Sequence, residues 1–435
     1  MSIIPPTKTF TPGLEFTKKN YIDPEVEFNK NYISAIKIVR EKLASFRELK
    51  AILQLRFGDE NHSKPPIFVD ARGNEAQLLD SLPNDIQPDV QTTIKPEYLI
   101  RFHEGTLDPR LGLFQDARLY EPSIPRGDVP KLIRFADLLN KTPTLPLEHT
   151  INSSRVGLPK PTKYIEKVKK DIVEFGYGLV KDALSATEVE IIKKAVLEQA
   201  AGERQAGVAA LDGGPERPNQ RVWNLINKGD EFIDLLNHPL IDAIIPWFLG
   251  DHAHISTLSA NIARPGNTPM QLHTDQSSKT PPQRNMALGL NISFYLVDVT
   301  DTNGATRVYP RSHNGNIAAS NIWTVEGSVP VEGPAGTAIV FDNRLWHTTG
   351  PNRAKEDDVT KERPVILLHF VRSFVRAGEN HYLSMRKDVE AKLPDRQKAF
   401  FGFRKIPGIG SVEGSTTVDF VSRKEDAIGV MRALP

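Results

Sequence analysis

A chain of 435 residues can bury a large core and still carry an addition beyond one domain. Its 55 Lys+Arg nearly cancel its 54 Asp+Glu, leaving a formal charge of +1, so no strongly basic face is implied and nucleic acid is not the expected partner. The absence of cysteine excludes disulfides, Cys-ligated zinc and thiol catalysis together. Nothing at Met1-Ser2-Ile3-Ile4 reads as a signal peptide and no apolar run approaches the ~20 residues of a membrane helix, so a cytoplasmic protein with no membrane partner is expected.

Residues 1–28, rich in Pro and Thr, read as extended. A long helix follows, with Ile36, Val39, Leu43, Phe46, Leu49 and Leu53 at spacings of three and four, stopped near Gly58. From 61 to 161 prolines recur, helices read as short and no motif emerges. Residues 1–160 are therefore expected to be a partly helical extension that packs on the core or on a second subunit, making a homodimer. A helix carrying Ile165, Val168, Ile172 and Phe175 leads into a strand from Tyr177 to Lys181, and Ser185-x-x-Glu188 is a capping box that opens the next helix. The Gly-, Arg- and Gln-rich stretch 202–220 around Gly213-Gly214-Pro215 reads as a solvent loop or a lid.

A β core is expected at about 255–375. The apolar run 288–296 is a buried strand, 302–313 is turn, short strand and turn, 336–347 is a strand that delivers His347 at its end, and 365–371 is a last strand begun just after Arg363. A helix over 389–403 packs back on this core, and 404–435 is a tail. Gly408-Ile409-Gly410 lacks the strand and helix that a dinucleotide loop needs. His252 and His254 have no carboxylate at a useful spacing and belong to a loop or a strand entry, and His313 is a turn histidine bonded to backbone.

Within the core, Gln271-Leu272-His273-Thr274-Asp275 is answered by Trp346-His347. An imidazole and a carboxylate two residues apart on a strand share a face and can reach one metal ion, while a distant imidazole closes the site. Two His and one carboxylate on one side of ferrous iron leave positions open for a co-substrate and dioxygen. His-x-Asp alone is a weak signal in a chain with 11 His; its context carries the weight. Arg264-Pro265-Gly266 precedes Gln271-x-His273-x-Asp275. Then come Asn303-Gly304-Ala305-Thr306-Arg307-Val308-x-Pro310-x-Ser312-His313, Asn343-Arg344-x-x-His347-x-x-Gly350-Pro351-Asn352, and Arg363-Pro364 before a strand.

In these four motifs, taken in order, the chain resembles the phytanoyl-CoA dioxygenase-like branch of the Fe(II)/2-oxoglutarate-dependent oxygenases. The likeness runs from about 161 to 402, and residues 1 to about 155 match nothing in it. It implies a mainly β, α+β fold: a double-stranded β-helix, of jelly-roll or cupin-like type, with flanking helices, inside a dioxygenase domain at 161–403. It also implies that His273, Asp275 and His347 are the catalytic iron ligands, that Arg363 binds the distal carboxylate of 2-oxoglutarate, and that Gln271 and Thr306 are polar partners of that co-substrate. The reaction implied is oxidation, foremost hydroxylation, of a small organic substrate by O2 with release of succinate and CO2.

The chain departs from the pattern in one place. Arg363 lies 16 positions after His347, and the excess is the charged insertion 354–361, which a hairpin tip absorbs at small cost. Arg353, before the insertion, is the competing arginine. Guanidinium suits the role because it holds a carboxylate bidentately. The same centre could instead run desaturation or oxidative cyclisation in secondary metabolism. A silent binding protein would have lost a ligand, and a zinc hydrolase would have no need of Arg363 or Thr306. Arginines at 217, 221 and 284 point to an anionic or zwitterionic substrate, with Arg221, Trp223 and Trp346 as its candidate contacts.

Overall fold

The computed structural model describes residues 23–58, 61–107, 113, 124–141, 145–146, 157–276, 283, 286–314, 317–318, 322, 324–355, 357–403 and 409. The chain divides into two compact units, Met1–Lys141 and Thr142–Pro435, a boundary that falls before the 160/161 expected from the sequence. The fold is mixed α+β, built on large sheets.

In the first unit, Asp23 caps the helix Pro24–Glu41 by accepting from the Glu25 N–H, and Phe28, Ala35, Ile38 and Val39 form its buried face. The helix is shorter than its apolar spacing predicted. A short helix Leu43–Phe46 and a 3-10 turn Arg47–Leu49 lead to Lys50, whose φ of 47° places it in the left-handed region, and Leu53 then lies in a strand. The alternation Leu53, Leu55 and Phe57, all buried around exposed Arg56, is a period of two that runs on directly from the helical one. Strands β1 (Ile52–Phe57), β2 (Ile67–Asp70), β3 (Gln77–Leu79), β4 (Val90–Ile94) and β5 (Arg126–Gly127) form a sheet of order β3-β2-β1-β4-β5, with β1 parallel to β4. Helices Pro96–Glu104 and Val129–Leu138 complete the unit. The proline-rich stretch thus holds a sheet as well as helices.

The second unit has strands β6 (Leu145–Pro146), β7 (Tyr177–Val180), β8 (Ala210–Asp212), β9 (Asn219–Val222), β10 (His254–Ala263), β11 (Gly289–Tyr295), β12 (Thr306–Val308), β13 (Ile317–Ala318), β14 (Val329–Pro330), β15 (Ala338–Asp342), β16 (His347–Thr349) and β17 (Arg363–Val371). Helix Ile165–Phe175 ends at Gly176, where φ is 86° and an added Cβ would meet His313 Nδ1 at 2.7 Å, so only glycine turns the chain into β7 there. Both halves of the Ser185/Glu188 capping box are present at the start of helix Ala186–Gln205. The stretch read as a loop or lid is the end of that helix followed by the β8–β9 hairpin.

A seven-stranded sheet of order β7-β15-β11-β17-β10-β9-β8 organises this unit. Strand alternation gives it two faces. On one, Leu258, Ala260, Ile262, Ile292, Phe294, Ile366 and Phe370 join Ile192 and Val196 of helix Ala186–Gln205 and Ile241 and Ile244 of helix Pro239–Leu249 in one apolar core. On the other, Tyr295, Phe341 and Val365 pack with Val308 and Val329 of a three-stranded sheet, β14-β12-β16. The candidate site lies between these two sheets. The expected C-terminal helix is two short ones, Lys387–Lys392 and Asp395–Phe400, because Pro394 cannot continue a helical ladder. Of 404–435 only Ile409 is among the described residues. No single described helix is long and apolar enough to cross a membrane.

Candidate metal centre

His273 and His347 face each other across an isolated antiparallel bridge, each backbone N–H donating to the other's carbonyl at 3.1 and 2.9 Å. The His-x-Asp pair is therefore not on a regular strand. Asp275 sits in the turn just beyond the bridge, and that turn brings its Oδ1 to 3.5 Å from His273 Nε2 and 3.6 Å from His347 Nε2. The three ligand atoms lie within 4.8 Å of one another. Nor does His347 end the strand before it. The turn after β15, tied by Asp342 to Arg344 at 2.6 Å, moves the chain to the smaller sheet, where His347 begins β16 opposite Val308.

The imidazoles are oriented by their own backbone. His273 Nδ1 bonds the Gln271 carbonyl at 2.8 Å and His347 Nδ1 bonds the Leu345 carbonyl at 2.9 Å, which assigns the proton to Nδ1 in both rings and leaves each Nε2 lone pair facing Asp275. Burial pushes His347 down to about 4, so it is neutral at pH 7, as a metal ligand must be. Burial works to raise the Asp275 carboxyl, but the imidazoles of His347 and His273 outweigh it and hold Asp275 well below the usual carboxylate range. Two imidazole nitrogens and one carboxylate oxygen at this spacing suit ferrous iron.

Arg363 opens β17 opposite Ala263 and is 1% exposed, yet its Nε, Nη1 and Nη2 have no hydrogen-bond partner among the described residues. Burial pushes its guanidinium down to about 10, still cationic at pH 7. A buried, unpaired cation costs several kcal/mol unless an anion meets it. Arg353, the competitor, lies on the surface and pairs with Asp301 at 3.0 Å. Thr306 stands opposite Thr349, whose Oγ1 accepts from Asn261 Nδ2 of the larger sheet at 3.3 Å, so the Thr306 row faces the space between the sheets. Gln271 is half-buried and lends its carbonyl to His273.

Arg221 lies opposite Asn261 on β9, partly buried, with its guanidinium 5.4 Å from the centre of the exposed Trp223 ring. Burial lowers its pKa, and Asp212 and Asp275 oppose the shift. Trp346 is buried beside His347, its N–H donating to Ser312 Oγ and its carbonyl accepting from the Tyr309 N–H, both at 2.9 Å. His313 bonds the Val173 carbonyl at 3.0 Å, the backbone role expected of it, and His254 is the strand entry of β10.

The sequence reading missed the residues behind Asp275. Its Oδ2 accepts from Asn291 Nδ2; Asn291 also donates to Asn343 Oδ1 at 3.2 Å, and Asn343 Nδ2 meets His369 Nε2 at 2.6 Å. One signal was available: Asn291, like Ser293, interrupts a mostly apolar buried strand, and a buried amide needs partners.

Residues 172–357 match the family model described as phytanoyl-CoA dioxygenase (PhyH). Dioxygenase af480 of Aspergillus fumigatus is 28% identical over 272 residues, covering 60% of this chain and 84% of that protein. Dioxygenase sphC of the same species is 26% identical over 329 residues, covering 70% and 84%. Dioxygenase aneA of Aspergillus aculeatus is 31% identical over 177 residues, covering 38% and 57%. Among solved structures, the non-heme alpha ketoglutarate dependent carbocyclase SnoK from nogalamycin biosynthesis aligns with a TM-score of 0.41 at 20% identity, over 52% of this chain and 94% of that one.

With a matched domain that contains the whole His-Asp-His cluster, this is an oxidoreductase of the non-haem dioxygenase class. Residues 172–357 of the chain thus carry a phytanoyl-CoA dioxygenase-like domain, and the relatives similar to it are named dioxygenases.

Proposed function

We propose that this enzyme hydroxylates a small organic molecule with O2, consuming 2-oxoglutarate and releasing succinate and CO2, on a double-stranded β-helix formed by the seven- and three-stranded sheets. The observation that carries the reading is Arg363. A guanidinium whose three nitrogens have no partner among the described residues, buried on the face of the larger sheet that looks toward the triad, is a cation waiting for a carboxylate. A metal hydrolase has no use for it.

In this reading His273, Asp275 and His347 hold Fe(II), and Arg363 takes the distal carboxylate of 2-oxoglutarate in a two-pronged grip. Thr306 and Gln271 offer polar groups along the length of the co-substrate. Bound iron supplies the coupling of 2-oxo acid decarboxylation to C–H oxidation by dioxygen. The protein's part is to orient and to exclude water. Phe341, whose ring is 4.8 Å from that of His347, and Val365, next in register to the Arg363 row, wall the space with apolar surface. Arg221 offers a second guanidinium to an anionic group bound toward the metal, and Trp223 and Trp346 are candidate substrate walls.

The test is anaerobic addition of Fe(II) and 2-oxoglutarate to the purified protein. A weak visible charge-transfer band should appear with one iron per chain, and His273→Ala or His347→Ala should abolish it without unfolding the protein. Full iron binding and succinate release in either variant would remove that residue from the centre, and turnover supported by zinc would replace the oxygenase reading with a hydrolase.

A further inference from the structure

The two oxygens of Asp275 are treated differently by the fold. Oδ1 faces both imidazole nitrogens, at 3.5 and 3.6 Å, while Oδ2 is turned away and accepts from the amide of Asn291. Both hydrogens of that amide are in use, the second on Asn343 Oδ1. Asn343 is fixed in turn. Its Nδ2 bonds His369 Nε2, its backbone N–H donates to the Gly289 carbonyl at 3.2 Å, and a Cβ on Gly289 would come within 2.2 Å of Nδ2. His369 stands opposite Asn291 in the β11–β17 register, so the row closes on itself within one sheet face. Asn343 also belongs to the turn that delivers His347, so one rigid turn sets both a ligand and the support of another.

We propose that Asn291, held by Asn343 and His369, is a positioning residue that restricts Asp275 to one-oxygen ligation. This rests on the oxygenase reading above. A carboxylate free to rotate could present both oxygens to the metal and fill a position that a chelating 2-oxo acid or dioxygen requires. The amide of Asn291 prevents this by occupying Oδ2 with a hydrogen bond from a buried donor, which a metal would have to break. A leucine at the position has nearly the same bulk and no donor. An aspartate has the same shape and turns an acceptor toward Oδ2.

The experiment uses the full chain, with Mn(II) titrations followed by electron paramagnetic resonance and Co(II) visible spectra recorded with and without 2-oxoglutarate. Asn291→Leu should weaken Mn(II) binding by about 10- to 100-fold and change the Co(II) ligand-field spectrum of the 2-oxoglutarate complex. Asn291→Asp should be worse, and Asn343→Leu, which leaves Asp275 and Asn291 in place, should move both readouts the same way by less. A purely structural asparagine would lower the melting temperature without altering the Co(II) spectrum of the folded fraction. If Asn291→Leu does not fold, Asn343→Leu decides. An unchanged Co(II) spectrum in the folded variants, with Mn(II) affinity within about twofold of wild type, overturns the proposal. Failure of the wild type itself to bind metal and 2-oxoglutarate would instead overturn the oxygenase reading.

Discussion

Replacing Arg363 with methionine should have opposite effects on the empty and the loaded protein. In the protein alone the guanidinium is 1% exposed with no partner among the described residues, and burial has pushed it well below the ordinary guanidinium value, to about 10. That gap corresponds to roughly 3 kcal/mol of penalty on the charge. Methionine of similar length fills the same space without the penalty, so the metal-free variant should be as stable as wild type or more stable by up to ~3 kcal/mol. Co-substrate binding should collapse. Leaving a carboxylate without its buried partner costs on the order of 2–5 kcal/mol, about 30- to several-thousand-fold in affinity. Thermal unfolding with Mn(II) shows both effects in one assay. At about 100 times its dissociation constant 2-oxoglutarate should stabilise wild type by ~2.7 kcal/mol, and the variant should show no such shift at the same concentration. Arg363→Lys should keep part of it as a point charge without the fork. The reasoning fails if Arg363→Met melts well below wild type and still responds to 2-oxoglutarate, because Arg363 would then be a structural cation.

Arg353→Ala and deletion of 355–360 should leave the 2-oxoglutarate dependence of succinate formation near wild type, since Arg353 is exposed and paired with Asp301; a large defect confined to Arg353 would show that the clamp is the other arginine. Asp275→Glu should bind metal poorly, because one added methylene displaces an oxygen now 3.5 and 3.6 Å from the two imidazoles by more than the ~0.5 Å such a site tolerates. Wild-type activity there and in Asp275→Gly would refute the ligand assignment. Gly289→Ala drives a Cβ to 2.2 Å from Asn343 Nδ2 and 2.6 Å from the Phe370 carbonyl, so it should weaken metal binding as well as lower the melting temperature; unchanged metal affinity would uncouple that glycine from the centre. Burial pushes His381 down to about 4, against 6.5 for a free imidazole, and its Nε2 bonds the Ile255 carbonyl. Below 6.5 the unfolded chain takes a proton that the fold refuses, so this contribution is complete above 6.5 and drains away toward 4. Urea unfolding should lose about 2 kcal/mol more between pH 7.5 and 5 in wild type than in His381→Gln, and equal pH slopes would refute it.

What could be read in the sequence followed from how local each signal is. The capping box at Ser185 and Glu188, the passage from the helix carrying Phe175 into the strand at Tyr177 and the buried strand from Gly289 to Tyr295 each depend on a few neighbouring residues, and each formed where it was expected. That His273, Asp275 and His347 would come together was legible, because a candidate ligand set is a matter of residue type. Their geometry was not. His273 and Asp275 were expected to share a strand face, but a single bridge followed by a turn joins them, a shape fixed by His347 from 74 residues away. The first unit failed for a related reason. The helical spacing that ends at Leu49 runs without a gap into the period-two strand at Ile52, and only the left-handed turn at Lys50 separates them.

The least legible feature is the one the proposed chemistry relies on most. Arg363 stood out in the sequence only through the motif it shares with the family, and a Ser or an Asn inside a strand does not stand out at all, yet Arg363, Ser259, Ser293 and the Oδ1 of Asn261 are all buried on one sheet face with no partner among the described residues. A fold tolerates a few unsatisfied buried groups, each at a cost of about 1–3 kcal/mol. Several of them gathered on the face that looks toward the triad argue that the protein holds itself ready for polar ligands, and that binding recovers what folding left unpaired. The apolar face of the same sheet, packed by Leu258, Ile262, Phe294 and Phe370 against two helices, supplies the stability that makes this tolerable. Side-chain alternation along β10, β11 and β17 therefore divides the labour residue by residue, one face for the fold and the next for the reaction.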